Sequence, residues 1–180
     1  MPEVQRDPSD ADLIEAWRGG EEAAATELVR RHARAVARYL SAAGAGEDVD
    51  DLVQETLFRA FRNLAGYRGQ ASFRTWLMAI GSNALKDLRR RGTRRPTVAL
   101  EERDVVDEAS DPHAETAARD AVERLEKAVA ALPEMQRDVF LLRAQQGMEY
   151  EDIAGALDTS VGAARVHYHH AVKRLKKVLE

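Results

Sequence analysis

The chain has 180 residues, no cysteine, 6% aromatic residues and a formal charge of -4 at neutral pH. That length allows one or two domains, and the lack of cysteine excludes disulfides and thiolate metal sites and suits a reducing compartment. The polar, acidic N-terminus carries no apolar signal core and no apolar run is long enough to span a bilayer, so a cytoplasmic location is expected. Alternating strand-like runs of Val, Ile, Thr and Tyr are missing, while Ala, Leu, Arg and Glu abound, which predicts an all-α fold.

Residues 1–8 read as a loose tail. Ser9 with Asp12 three positions on resembles a capping box, with Asp in place of the usual Glu. It opens a short helix through Leu13, Ile14 and Trp17 that Gly19-Gly20 closes. A longer helix starts near Glu21, carries Leu28, Val29, Ala33, Val36 and Leu40 at helical spacing, and stops at Gly44 and Gly46. A third helix, Asp48 to Leu64, has a broad apolar stripe of Leu52, Val53, Leu57, Ala60, Phe61 and Leu64. Asp48, Asp50, Asp51 and Glu55 crowd its first turns, where the helix dipole favours negative charge. That accounts for the acids and leaves Gln54 and Arg59 without a role.

Tyr67 to Phe73 reads as a loop containing Gly69 and flanked by aromatics. Ser72 caps a fourth helix whose inward side is Phe73, Trp76, Leu77, Ile80, Ala84 and Leu88. Its far end holds Lys86, Arg89, Arg90, Arg91, Arg94 and Arg95 against Asp87 alone. The dipole accounts for one or two of these cations; the remainder repel one another and point to a polyanion. Aromatics beside such a cluster suit single-stranded nucleic acid, because bases stack on rings while cations hold the backbone.

Pro96 breaks the helix, and Thr97 to Ser110 is an acidic, aperiodic stretch with Glu101, Glu102, Asp104, Asp107 and Glu108 against Arg103. Asp111-Pro112 opens a helix that runs to Ala131 through Ala118, Val122, Leu125 and Val129, with Leu132 just beyond. Pro133 restarts a helix through Val139, Phe140, Leu141 and Leu142 that ends near Gly147. A short helix over Tyr150–Ala156 then meets a last one, capped by Thr159 or Ser160 and running through Val172, Leu175, Val178 and Leu179. Two helices joined by so short a turn match either a plain helical hairpin in a bundle or a helix-turn-helix, whose second helix enters the major groove. Arg165, His167, His169 and His170 would then stand near base edges, and Lys173, Arg174, Lys176 and Lys177 near phosphates. The predicted organisation is a helical domain over 9–95, a flexible acidic linker over 96–111 and a second helical domain over 112–180. Basic-ended blocks and an acidic strap cancel in the net charge.

Three stretches carry a family resemblance: DLVQETLFRAFRNL from Asp51 to Leu64, YRGQASFRTWLMAIGSNALKDLRRR from Tyr67 to Arg91, and LPEMQRDVFLLRAQQGMEYEDIAGALDTSVGAARVHYHHAVKRLKKVL from Leu132 to Leu179. In this order they resemble a bacterial RNA polymerase sigma factor of the extracytoplasmic-function type, a likeness that runs from about Asp12 to Leu179. The resemblance implies two domains, regions two and four, that bind core RNA polymerase and direct it to promoter DNA. The first would melt the minus-ten element and the second would read the minus-thirty-five element. Asp51, Gln54, Glu55 and Arg59 match the family's surface for the polymerase clamp. Gly69, Gln70, Ala71, Ser72 and Phe73, with Arg68 beside them, match the pocket for a flipped-out minus-ten base, and Asn83 a polar residue near it. Lys86, Arg89, Arg90 and Arg91 fit neighbouring DNA, whereas the helical phase of Trp76 assigns it to the core. Ser160, Arg165, Val166, His167, His169, His170, Lys173 and Arg174 fall on the minus-thirty-five reader. The linker would lie in the polymerase channels, and an anti-sigma factor is an implied partner. No small-molecule substrate, cofactor, metal or catalytic residue is implied.

One departure stands out. His167 and His170 replace arginines of the family's usual recognition helix, and Val166 replaces a serine. Neutral imidazole cannot make the bidentate guanine contact of arginine, so the minus-thirty-five preference should differ or the binding weaken. Two other readings of the chain compete. His167 and His170, three apart on a helix, could begin a metal site, although no carboxylate follows at the right spacing. A helix-turn-helix regulator that acts without melting would need a receiver or dimerisation module in the first block, and none is readable. An enzyme lacks any phosphate loop or Ser-His-Asp set tied to a motif. His32 and His113 are expected at the surface.

Overall fold

A computed structural model describes residues 7–92 and 112–179. The expected linker, Arg94, Arg95 and the side chain of His113 lie outside the described residues. Among the described residues there are eight α-helices and no strand: α1 (Asp10–Arg18), α2 (Glu22–Ala42), α3 (Val49–Arg62), α4 (Phe73–Gly92), α5 (Pro112–Ala130), α6 (Glu134–Phe140), α7 (Tyr150–Leu157) and α8 (Val161–Leu179). The all-α expectation therefore holds.

Helix starts follow the cap residues. Ser9 Oγ accepts from the Asp12 amide at 3.2 Å while Asp12 Oδ2 accepts from the Ser9 amide at 2.8 Å, so the Asp form of the capping box works. The Ser9 hydroxyl also donates to Asp12 Oδ2 at 2.7 Å, and with the Ser9 amide it holds the Asp12 carboxyl below its ordinary pKa. At α8 the cap is Ser160, whose hydroxyl accepts from the Ala163 amide at 3.1 Å. Thr159 belongs instead to the turn, and Asp158 before it takes the left-handed conformation at φ 52°. Asp tolerates that region better than most residues.

The first bundle packs α2, α3 and α4, with α1 laid along α2. Leu28, Val36 and Leu40 from α2 meet Leu52 and Ala60 from α3 and Leu77, Met78 and Leu85 from α4, all buried. Burying each such Leu contributes about 1.5–3 kcal/mol. Helices α3 and α4 approach closely at Gly81, where an added Cβ would stand 3.4 Å from the Thr56 hydroxyl. The second bundle gathers Val129, Leu132, Val139, Leu142, Ile153, Leu157, Ala164, Ala171 and Leu175. Its α6 continues into one wider helical turn over Leu141–Gln145 before Gly147 at φ 68° redirects the chain.

The two bundles share one continuous apolar core. Helix α7 packs along α4, and the Leu141–Gln145 turn packs on α2. One expectation is corrected here: His32 is not a surface residue but 8% exposed, with Nε2 2.7 Å from Asp10 Oδ2 and its ring edge-on to Phe73. Its spacing, four residues after Leu28 and four before Val36, placed it on the buried stripe of α2.

Candidate nucleic-acid interface

The loop between α3 and α4 stands on a packed aromatic platform. Tyr67 lies 5.1 Å from Trp76 and 5.7 Å from Phe73, ring centre to ring centre, and Phe73 lies 5.8 Å from Trp76. The Tyr67 hydroxyl donates to the Ala71 carbonyl at 2.7 Å and so closes the loop on itself. Gly69 sits at φ 69°, a conformation that strains other residues. Arg68, Gly69, Gln70 and Ser72 are exposed, and Ala71 is partly so. The Ser72 hydroxyl accepts from the Thr75 amide at 3.0 Å and starts α4, as expected. Phe73 is 3% exposed, so its ring supports the loop from below rather than facing outward. Trp76 is half-buried against the core, in keeping with its helical phase. Asn83 is exposed on α4, but roughly 15 Å along the axis from Phe73 at 1.5 Å per residue.

The basic end of α4 is less open than its sequence implies. Arg89 Nη1 lies 2.9 Å from both Glu134 Oε1 and Asp138 Oδ2, and Arg89 Nη2 donates to the Ala43 carbonyl at 2.5 Å. Its side chain is 19% exposed and that of Asp138 only 3%. Burial works against the charged guanidinium, but Asp138 and Glu134 outweigh it and raise its pKa. Asp138 is shifted upward chiefly by burial, against the pull of Arg89. Lys86 is partly buried, and desolvation lowers its ammonium pKa although Asp158 and Asp138 oppose this. The mutual repulsion inferred from sequence is thus partly answered by acids of the second bundle. Arg90 and Arg91 are exposed.

On α3, Asp51, Gln54 and Glu55 are exposed. Arg59 is partly buried, with Nε 2.6 Å from Glu55 Oε1 and Nη1 3.1 Å from Asp87 Oδ2. It therefore has the internal role that sequence alone did not supply, tying α3 to α4. Phe58, 61% exposed, is a residue missed from sequence. A signal existed: 51, 54, 55 and 58 follow the i, i+3, i+4, i+7 spacing of one helix face.

On α8, Ser160, Arg165, Val166, His169, His170, Lys173 and Arg174 are exposed and His167 is partly so. The Arg165 guanidinium lies over the Tyr150 ring at 5.5 Å, and Arg143 lies over the same ring at 5.0 Å. Tyr168 stacks on Phe140 and meets Tyr150 edge-on, each at 6.1 Å. This aromatic seam joins α6, α7 and α8 and was also missed from sequence; its members lie on three helices. His169 and His170 are ring neighbours at 6.0 Å. Among the described residues no group of three or more His, Asp or Glu could hold a metal ion.

Comparison with known proteins accounts for both bundles. The Sigma-70 region 2 family model matches residues 28–95 and the Sigma-70, region 4 model matches residues 122–175. The RNA polymerase sigma factor NccH of Alcaligenes xylosoxydans xylosoxydans is 32% identical over 97% of each chain. The ECF RNA polymerase sigma-E factor of Haemophilus influenzae is 28% identical over 96% of each chain. Among solved structures, CnrH in complex with the cytosolic domain of CnrY is 29% identical, with a TM-score of 0.68 over 94% of this chain and 96% of that one. The sigma factor RpoE of Bartonella quintana, in complex with the anti-sigma factor NepR, shares the fold at 21% identity, with a TM-score of 0.69 over 86% of this chain and 95% of that one. Among the described residues no helix is long and apolar enough to cross a membrane. With region 2 and region 4 in this order and full-length relatives, the chain belongs to the extracytoplasmic-function sigma factors, which bind core RNA polymerase and direct it to promoter DNA.

Proposed function

We propose that the two domains divide promoter opening as follows. The α3 face of Asp51, Gln54, Glu55 and Arg59, with Phe58 beside them, docks on the polymerase clamp. The Arg68–Phe73 loop captures an unpaired minus-ten base, and Asn83 reads the strand further along α4. Lys86, Arg89, Arg90 and Arg91 hold the DNA backbone there, and Ser160 to Arg174 on the α8 side reads the minus-thirty-five duplex. The observation that supports this best is the loop itself, with exposed polar residues and a left-handed glycine held over three packed rings. Capturing an extruded base offsets unpairing costs of a few kcal/mol without nucleotide hydrolysis.

The factor carries out no chemistry of its own and works in the cytoplasm. It is held in check by an anti-sigma factor, as the complexes of CnrH and RpoE suggest for their own chains. A regulator that acts without melting is not favoured by the match to both sigma regions. The test is transcription in vitro with core polymerase and this chain alone, with opening followed by permanganate reactivity of thymines. Start-site-specific synthesis is expected, and substitutions at Gly69 or Asn83 should suppress opening while leaving core binding intact. Failure to bind core polymerase would overturn the reading. Promoter selection with His167→Arg should shift the minus-thirty-five preference toward guanine.

A further inference from the structure

Helix α1 lies outside the stretch matched by the region 2 model, and nothing in the sequence suggested a role for its last residue. Arg18 reaches from the end of α1 across to the segment that leads into the base loop. Its Nη2 donates to the Leu64 carbonyl at 3.2 Å and to the Tyr67 carbonyl at 2.8 Å. Its Nη1 is held by Glu15 Oε1 at 2.5 Å. One guanidinium nitrogen thus spans the short helical turn over Leu64–Gly66 and fixes both of its ends.

The same helix braces the platform from its other end. Asp10 Oδ2 holds His32 at 2.7 Å, and the His32 ring packs edge-on against Phe73. Next to Arg18, Trp17 packs edge-on against Phe61 of α3 at 5.7 Å. Tyr67 therefore has its carbonyl fixed by Arg18, its ring by Phe73 and Trp76, and its hydroxyl by Ala71. Each of these anchors of Tyr67 comes from the chain itself. Placing a reacting or binding group to within about 1 Å can be worth up to roughly 100-fold. Arg18 is the sole side chain from α1 among these anchors that touches the loop backbone directly.

We infer that Arg18 is a positioning residue for capture of the unpaired minus-ten base: it does not touch the base, but sets the height and direction of the 67–73 loop. This rests on the proposed role of that loop. The test uses holoenzyme made from core polymerase and the full chain, with single-stranded minus-ten oligonucleotides that differ only at the captured base. Arg18→Ala should lower the discrimination between the preferred and the other bases by about tenfold. Discrimination is a ratio within one variant, so partial unfolding does not change it. Tyr67→Phe, which removes the hydrogen bond to Ala71 and keeps the ring, should give a smaller loss in the same direction. Core binding and affinity for minus-thirty-five duplex should stay at the parent level for both. Unchanged discrimination in Arg18→Ala overturns the inference. If Gly69→Val abolishes discrimination while Arg18→Ala does not, only the role of Arg18 fails. If both leave it intact, the loop is not the base pocket and the underlying reading fails with it.

Discussion

The two ends of α4 are built in opposite ways. At its start, Tyr67, Phe73, Trp76 and Ser72 hold a loop whose polar residues stay exposed. At its far end, Arg89 is already engaged by Glu134, Asp138 and the Ala43 carbonyl. One end is stiffened and left open; at the other, Arg89 is paired and covered while Arg90 and Arg91 stay exposed. Preorganisation by apolar packing leaves the polar groups available, whereas a cation inside a partly buried ion pair must exchange partners before it can serve another anion.

Substitutions at four positions would break or sharpen this contrast. Phe73→Ala removes the floor of the open end and should cost about 3–5 kcal/mol in urea unfolding, with Phe73→Leu costing distinctly less. Arg89→Ala leaves Asp138 buried without its cation and should cost about 3 kcal/mol at neutral pH. That penalty should shrink on acidification as Asp138 takes up a proton. Ser72→Ala removes the cap of α4 and should cost about 1 kcal/mol while leaving the covered end unchanged. The smallest effect is a pH dependence. Burial raises the pKa of Asp138 in the folded state, so its stabilising contribution is fully present below the ordinary aspartate range and fades as pH rises through the elevated value. The parent's melting temperature should therefore gain more than that of Asp138→Asn between pH 7 and pH 5, as followed by circular dichroism. Equal gains would show that Asp138 does not titrate in that window.

Local signals made most of the fold legible in the sequence. The Ser9 capping box, the stop at Gly44, the start at Pro112 and the α7–α8 turn are each set by a few neighbouring residues, and each appears where its chemistry puts it. The exposed loop follows from Gly69 and its polar neighbours, and the exposed face of α8 from helical periodicity. What stayed hidden depends on distant pairs. The place of His32 on the α2 stripe was legible, but its partners Asp10 and Phe73 were not. The partners of Arg59 include Asp87, 28 positions away, and those of Arg89 lie 45 and 49 positions away. Counting charges along the chain overstated the repulsion at the end of α4, because the answering carboxylates come from the other bundle. The Arg143–Tyr150–Arg165 cluster was hidden because its members lie on three separate elements of the second bundle.

The bridge from Arg89 of α4 to Asp138 of α6 has a thermodynamic corollary. An anion that draws Arg89 outward strands Asp138, and a force that lifts the second bundle away returns a cation to solvent. The two events share a single free energy, and reciprocity requires that each favour the other to the same degree. A titration with an anion that takes Arg89 from Asp138 would thus report on domain separation as well as on charge, and its apparent association constant would scale with the fraction of molecules already apart.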